Sequence, residues 1–193
     1  MNDFELIFLL EELSMKETLE VLLPKLIPSN LRYRCIAHEG KQDLEKSIPR
    51  KLKAWNQPAK FIIVRDKDSA DCKQVKQQLL ELCQKGNKSD ILIRIACHEL
   101  ESWFLGDLAA VEQGLNLKLG KLRKLQNNQK FRNPDALASP KQELKNIASS
   151  YQPISGSRAI AKYLDVNNNK SYSFNIFIQG IKKLLDEIQK NSC

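Results

Sequence analysis

Long apolar runs are missing from this 193-residue sequence: the longest, Leu6-Ile7-Phe8-Leu9-Leu10, is closed in by Glu5 and Glu11. That is too short to span a bilayer or to serve as the hydrophobic part of a secretion signal, so a cytoplasmic protein with no membrane partner is expected. Histidine is scarce, with only His38 and His98, which excludes a multi-histidine metal cage. Five cysteines (Cys35, Cys72, Cys83, Cys97 and Cys193) are an odd number without a C-x-x-C pair, which argues against a disulfide framework or a zinc ribbon. They are expected to be small buried hydrophobes plus a loose terminal thiol.

Signatures of several enzyme classes are also missing. There is no G-x-G-x-x-G, and the segment from Gly114 to Lys121 is one residue too long for a phosphate-binding loop and lacks its Ser or Thr, so nucleotide hydrolysis by this chain alone is not expected. Neither a G-x-S-x-G nucleophile elbow nor H-E-x-x-H occurs, and His38-Glu39 and His98-Glu99 are too isolated to specify zinc. His98 is either a base or phosphate contact near acids or a hydrogen-bonded packing residue.

What is present is a globular composition, 42% hydrophobic and 28% charged, of a length that suits one α/β core with an appended subdomain. The net charge of +8 is segregated. Six basic residues and no acid lie between Glu45 and Asp66 (Lys46, Arg50, Lys51, Lys53, Lys60, Arg65), and six more between Glu112 and Asp135 (Lys118, Lys121, Arg123, Lys124, Lys130, Arg132). If these stretches fold onto one face they attract a polyanion; otherwise they are two well-solvated basic helices.

Hydrophobic patterning predicts strands over 4–11, 32–38, 60–66 and 91–97, alternating with helices. Ser14 is the expected N-cap of the first helix, with Glu17 three residues later, a stripe of Leu19, Leu22, Leu23 and Leu26, and a stop at Pro28. A mostly charged helix over 41–54 should be interrupted or restarted at Pro49. A third helix runs from about Asp68 to Lys85 and ends on Gly86. Such alternation builds an open, mainly parallel sheet flanked by helices, whose binding sites lie beyond the strand carboxyl ends. The remainder is helical and ends in an amphipathic helix through Phe177, Ile181, Leu184, Leu185 and Ile188 that packs back on the sheet. Residues 154–158 (Ile-Ser-Gly-Ser-Arg) suit a loop entering a helix, a ready anion site.

Three of the four expected strands finish in acids: Glu11-Glu12, Asp66-x-Asp68 and Glu99-x-Glu101. Residues two apart on an extended segment point the same way, so each pair could offer two carboxylates to one volume. Like charges so placed repel, and a hard cation such as Mg²⁺ or Mn²⁺ is the simplest remedy. A carboxylate-held metal pair activates water and stabilises the leaving oxygen in phosphodiester cleavage, which suits a basic surface. The structural alternatives are a turn for Asp66-x-Asp68 and a solvated helix start for Glu99 and Glu101.

An acid after the first strand with Asp-x-Asp after a later one resembles the Toprim fold of topoisomerases, primases and OLD-family nucleases. Residues 38–46 (His-Glu-Gly-Lys-Gln-Asp-Leu-Glu-Lys), 64–72 (Val-Arg-Asp-Lys-Asp-Ser-Ala-Asp-Cys), 94–107 (Arg-Ile-Ala-Cys-His-Glu-Leu-Glu-Ser-Trp-Phe-Leu-Gly-Asp), Phe131-Arg132-Asn133-Pro134-Asp135 and Ser157-Arg158-Ala159-Ile160 are together similar to a bacterial family grouped with Toprim-like proteins. The resemblance implies a Toprim-like α/β core over 1–114 and a helical extension over 115–193. It also implies a neighbouring ABC- or AAA-type ATPase in a defence module. On it, Glu11 is the first acid, Asp66 and Asp68 the catalytic pair, and Glu99 and Glu101 supplementary metal acids. Toprim proteins commonly carry Glu-Gly at the first position, where this chain has Glu11-Glu12, which keeps Glu12 open as the first acid.

The expectation is a Mg²⁺- or Mn²⁺-dependent nuclease or phosphotransfer subunit acting on DNA or RNA, with Arg65, Lys67 and Arg158 meeting phosphate. The alternatives are a non-catalytic module that binds nucleic acid or an acidic partner, and a small-molecule phosphohydrolase using Asp66 as nucleophile.

Overall fold

The computed structural model describes residues 4–191; the expected loose thiol, Cys193, lies outside them. Four strands, β1 (Glu5–Leu10), β2 (Arg32–Ala37), β3 (Ala59–Asp66) and β4 (Ile91–Ala96), form one sheet in the order β2-β1-β3-β4. All pairings are parallel, with Glu5 opposite both Arg32 and Ala59, and Phe61 opposite Ile91. The crossovers are α1 (Leu13–Leu22), α2 (Lys41–Ala54) and α3 (Cys72–Lys85).

The apolar strands are covered on both faces, which is why their sequences run without polar breaks. Leu6, Phe8, Leu10, Ile62 and Val64 pack toward α1 through Met15, Leu19 and Leu22. Ile7, Leu9, Phe61, Ile63 and Ile93 face the other way, onto Leu44, Ile48 and Leu52 of α2 and Val75, Leu79 and Cys83 of α3. After β4 come α4 (Glu101–Leu105), α5 (Leu108–Gly114), α6 (Lys121–Leu125), α7 (Pro140–Ile147), α8 (Pro153–Ala161) and α9 (Tyr172–Asn191). Their apolar residues join the α1 side of the core, and α9 returns to β4, where Arg94 Nε donates to the Ile176 carbonyl at 3.1 Å.

Local details correct the sequence expectations. Glu12, extended at φ −146° and ψ 170°, holds the N-cap position of α1, while the Ser14 hydroxyl is buried and donates to the Glu12 carboxylate. The helix closes at Leu22 into a 3₁₀ turn containing Pro24, short of Pro28. α2 runs unbroken through Pro49, the packing of Leu44, Ile48 and Leu52 outweighing the missing amide. α3 starts at Cys72, because Asp71 accepts from the Lys73 and Gln74 amides as its N-cap, and it ends on Gly86 as expected. The Ile154–Arg158 segment lies inside α8 and is not a loop entering a helix. Gly114 of α5 permits a close helix crossing: a Cβ there would stand 2.6 Å from the Ile160 Cα and 2.8 Å from the Ala159 carbonyl of α8.

Candidate functional site

In the strand order β2-β1-β3-β4 the chain steps from β1 to one side and then crosses to the other, so the crevice beyond the carboxyl ends of β1 and β3 is a topological switch point, where open α/β sheets bind ligands. Glu11 and Asp66 stand at its two lips. The Asp66 amide donates to Glu11 Oε2 at 3.1 Å, tying the strand ends together. Alternation sends Arg65 and Asp66 to opposite faces of β3. Asp66 is buried on the side of α4 and α8, and its Oδ1 has no hydrogen-bond partner.

Glu101, the first residue of α4, is 1% exposed. Its Oε1 accepts from the Tyr151 hydroxyl at 2.9 Å, which also pairs with Ser157 Oγ at 3.0 Å, while Lys141 Nζ stands 4.0 Å away. Burial, then Glu11, Glu101 and Glu12 in turn, push the Asp66 carboxyl well above the ordinary aspartate range. Burial raises Glu11 to about 7 against the lowering effect of the Asp66 amide, with Asp68 and Glu12 adding to the rise. Burial likewise raises Glu101, against the Lys141 charge and the Tyr151 hydroxyl. The cleft is thus a buried concentration of carboxylate with too little positive charge beside it.

Asp68 is not a second copy of Asp66. The strand ends at Asp66, and Asp68 turns left-handed (φ 55°), its amide donating to the His98 carbonyl at 2.8 Å and its carboxylate meeting Lys41 Nζ at 3.2 Å. Glu99 also departs: its Oε2 accepts from the Lys141 amide at 2.8 Å, in the first turn of α7. Glu12 stays close enough to act on both Glu11 and Asp66.

Of the expected phosphate contacts, Arg65 is 4% exposed and held by Glu45 at 2.6 Å, with its Nε 3.8 Å from Glu11. Arg158 is exposed but pairs with Glu17 of α1 at 3.0 Å. Lys67 is half-buried at the rim, its amide donating to the Ala96 carbonyl at 2.9 Å. His38 is a packing residue: Nδ1 lies 2.8 Å from the Leu10 carbonyl, Nε2 lies 2.5 Å from Ser47 Oγ, and burial lowers its pKa. His98 is half-buried in a left-handed conformation (φ 60°). Cys35 and Cys83 are buried as expected, whereas Cys72 and Cys97 are only half-buried.

Tyr151 and Lys141 are the site residues that sequence patterning missed. They lie 50 and 40 positions beyond Glu101, in a region without a clear period, and no local motif announces them.

The donor set suits a hard divalent cation in one respect and falls short in another. A buried, unpartnered Asp66 oxygen beside two more carboxylates is the ligand chemistry of Mg²⁺ or Mn²⁺. Yet among the described residues no group of three or more His, Cys, Asp or Glu side chains already has the arrangement that holds an ion. Glu11, Asp66 and Glu101 are the residues that would hold it.

Fold and site together define an α/β protein with a cluster of buried carboxylates at the switch point of a parallel sheet. The chain belongs to the family described as Domain of unknown function (DUF4276), whose model matches residues 10–182. Its fold is similar to the C-terminal region of the Burkholderia pseudomallei OLD protein, with a TM-score of 0.58 and 14% identity over 93% of this chain and 97% of that one. It is also similar to the C-terminal region of the Xanthomonas campestris pv. campestris OLD protein, with a TM-score of 0.50 and 14% identity over 96% and 97% of the two chains. No curated protein matches the sequence. No helix among the described residues is long and apolar enough to cross a membrane.

Proposed function

We propose that this protein is a Toprim-like, Mg²⁺- or Mn²⁺-dependent nuclease or phosphotransfer subunit, with Glu11, Asp66 and Glu101 as its metal acids. The observation that carries this is the buried, unpartnered Asp66 oxygen at the switch point, with Glu11 and Glu101 close enough for their charges to act on it. Likeness in fold to OLD C-terminal regions supports it.

A bound dication supplies Lewis-acid activation of water and of the leaving oxygen in phosphodiester cleavage. The chain's own residues set the stage. Desolvation and mutual repulsion raise both the Asp66 and the Glu11 carboxyl, so a dication held there would favour their ionised forms and make its binding depend on pH. Tyr151 fixes the Glu101 carboxylate, and Lys141 with Lys67 supplies positive charge at the rim. Asp68 and Glu12 stand outside this trio as further acids of the cleft, and Glu99 acts through α7. The chain carries no nucleotide-binding signature, so an ATP-driven step belongs to a separate ABC- or AAA-type partner.

The test is cleavage of DNA and RNA with Mg²⁺ or Mn²⁺. Activity should vanish in EDTA and in Asp66→Asn and Glu11→Gln variants; activity that survives both removes the mechanism.

A non-catalytic binding module is the second possibility, favoured by the structural employment of Glu99 and Asp68. Metal-independent nucleic-acid binding without any cation uptake would establish it. A phosphohydrolase with Asp66 as nucleophile is disfavoured, because the aspartate is 8% exposed and its free oxygen is buried from substrate.

A further inference from the structure

We propose that the basic ridge formed by Lys118, Lys121, Arg123 and Lys124, on α6 and the turn before it, grips the phosphodiester backbone of a nucleic-acid duplex. The inference deepens the nuclease reading by naming the surface that holds its substrate.

The ridge is basic outside and acidic only within. All six bases between Glu112 and Asp135 are exposed, whereas Glu112 is completely buried. Its carboxylate accepts from the amides of Gly120 at 3.0 Å, Arg123 at 3.1 Å and Leu122, so the acid that nucleates α6 presents no charge to solvent. Gln126 fastens the same segment to the core: Oε1 accepts from the Leu108 amide at 2.7 Å, and Nε2 donates to the Leu105 and Phe131 carbonyls at 3.0 and 3.1 Å. A backbone so held loses little freedom when a rigid partner docks.

Two of the six bases are engaged, Lys130 with Glu143 at 2.6 Å and Arg132 with the Asn127 carbonyl at 3.2 Å. Lys118, Lys121, Arg123 and Lys124 are exposed and form no ion pair among the described residues, so four cations within seven residues of chain are available to phosphates.

The other basic stretch does not share this face. α2 packs on the opposite side of the sheet, mixes its lysines with Asp43 and Glu45, and folds Arg50 back onto the Lys46 carbonyl at 3.0 Å. It is a solvated helix face. A duplex suits the ridge better than a single strand, because residues 118–132 expose no aromatic ring for base stacking; Phe131 is buried. The Lys130–Glu143 pair joins the end of the ridge to α7, whose first turn carries Lys141 to Glu101. The segment that follows the ridge and the candidate site therefore share α7 as a common support.

The test is equilibrium binding of the full chain to 20-base-pair DNA and RNA duplexes in EDTA, across a salt series. The K118A/K121A/K124A variant should flatten the log–log salt slope by about 2 to 3. The K46A/R50A/K53A variant should leave it nearly unchanged, and both variants should melt like wild type because every altered side chain is exposed. The better-bound duplex identifies the polymer. An unchanged slope in the ridge variant, a larger effect from the α2 variant, tighter binding of the single strand, or tighter binding of polyglutamate would each overturn the proposal. Because EDTA removes cleavage, ridge-dependent binding by a chain that cleaves nothing in Mg²⁺ sinks the nuclease reading alone. Cleavage by a chain whose ridge variant keeps the wild-type slope sinks the ridge alone.

Discussion

Asp66 gives its backbone amide to the Glu11 carboxylate at 3.1 Å while its own side chain is pressed against the same negative charge. One residue thus both stabilises Glu11 and is destabilised by it. The ends of β1 and β3 are tied by this hydrogen bond while the charges of the two side chains oppose each other.

This opposition has a sign in pH. Glu11 titrates near 7 in the folded protein and at the ordinary glutamate value when unfolded, so between those values the native state binds the extra proton and stability falls as pH rises. Asp66 acts in the same direction. Thermal unfolding in EDTA should therefore give a higher Tm at pH 5 than at pH 7.5. The Glu11 contribution is on the order of 3 kcal/mol, and Glu11→Gln should flatten the difference.

Asp66→Asn replaces a carboxyl whose ionised form is disfavoured by burial and by Glu11, Glu101 and Glu12 with a neutral amide of the same shape. The metal-free protein should gain about 1–3 kcal/mol at neutral pH. The same change should abolish Mn²⁺ uptake in calorimetry. A variant that is less stable and still binds Mn²⁺ would contradict the placement of the charge.

Glu112→Ala leaves the amides of Gly120, Leu122 and Arg123 without their acceptor. Burial works to raise this carboxyl, but the three donors prevail and hold it below the ordinary range. Loss of the acceptor should cost about 3 kcal/mol and speed hydrogen exchange at those three amides before any others.

Tyr151→Phe deletes the hydroxyl shared by Glu101 and Ser157. Stability should fall by about 1–3 kcal/mol. Mn²⁺ affinity should fall with it, whereas Tyr163→Phe, at a half-exposed ring, should change neither.

Gly114→Ala drives a methyl into the α8 backbone, which has no side-chain freedom with which to retreat. A cost of about 1–3 kcal/mol is expected. Chemical denaturation should show it as a lower midpoint with an unchanged slope.

The sheet was legible because its central strands β1 and β3 are buried on both faces and read as apolar runs, and the pairing of Glu11 with Asp66 follows from topology once the strands are known. Local hydrogen bonding hid the rest. Nothing in Asp66-x-Asp68 shows that the strand stops between its two acids, and nothing in Glu99-x-Glu101 shows that one faces a helix amide while the other is buried on a tyrosine fifty residues away. Arg65 reads as a surface cation until Glu45 is placed beside it. The two basic stretches look alike in sequence, and only their assignment to opposite sides of the sheet separates them.

Glu99 and Glu101 sit two residues apart and reach to different helices, one to the start of α7 and the other to the tyrosine that backs onto α8. The outer helical layer is therefore wired to the cleft through a segment too short to stretch. A displacement of α7 would therefore be expected to reach Glu101 through Glu99, and a shift of α8 to reach it through Tyr151.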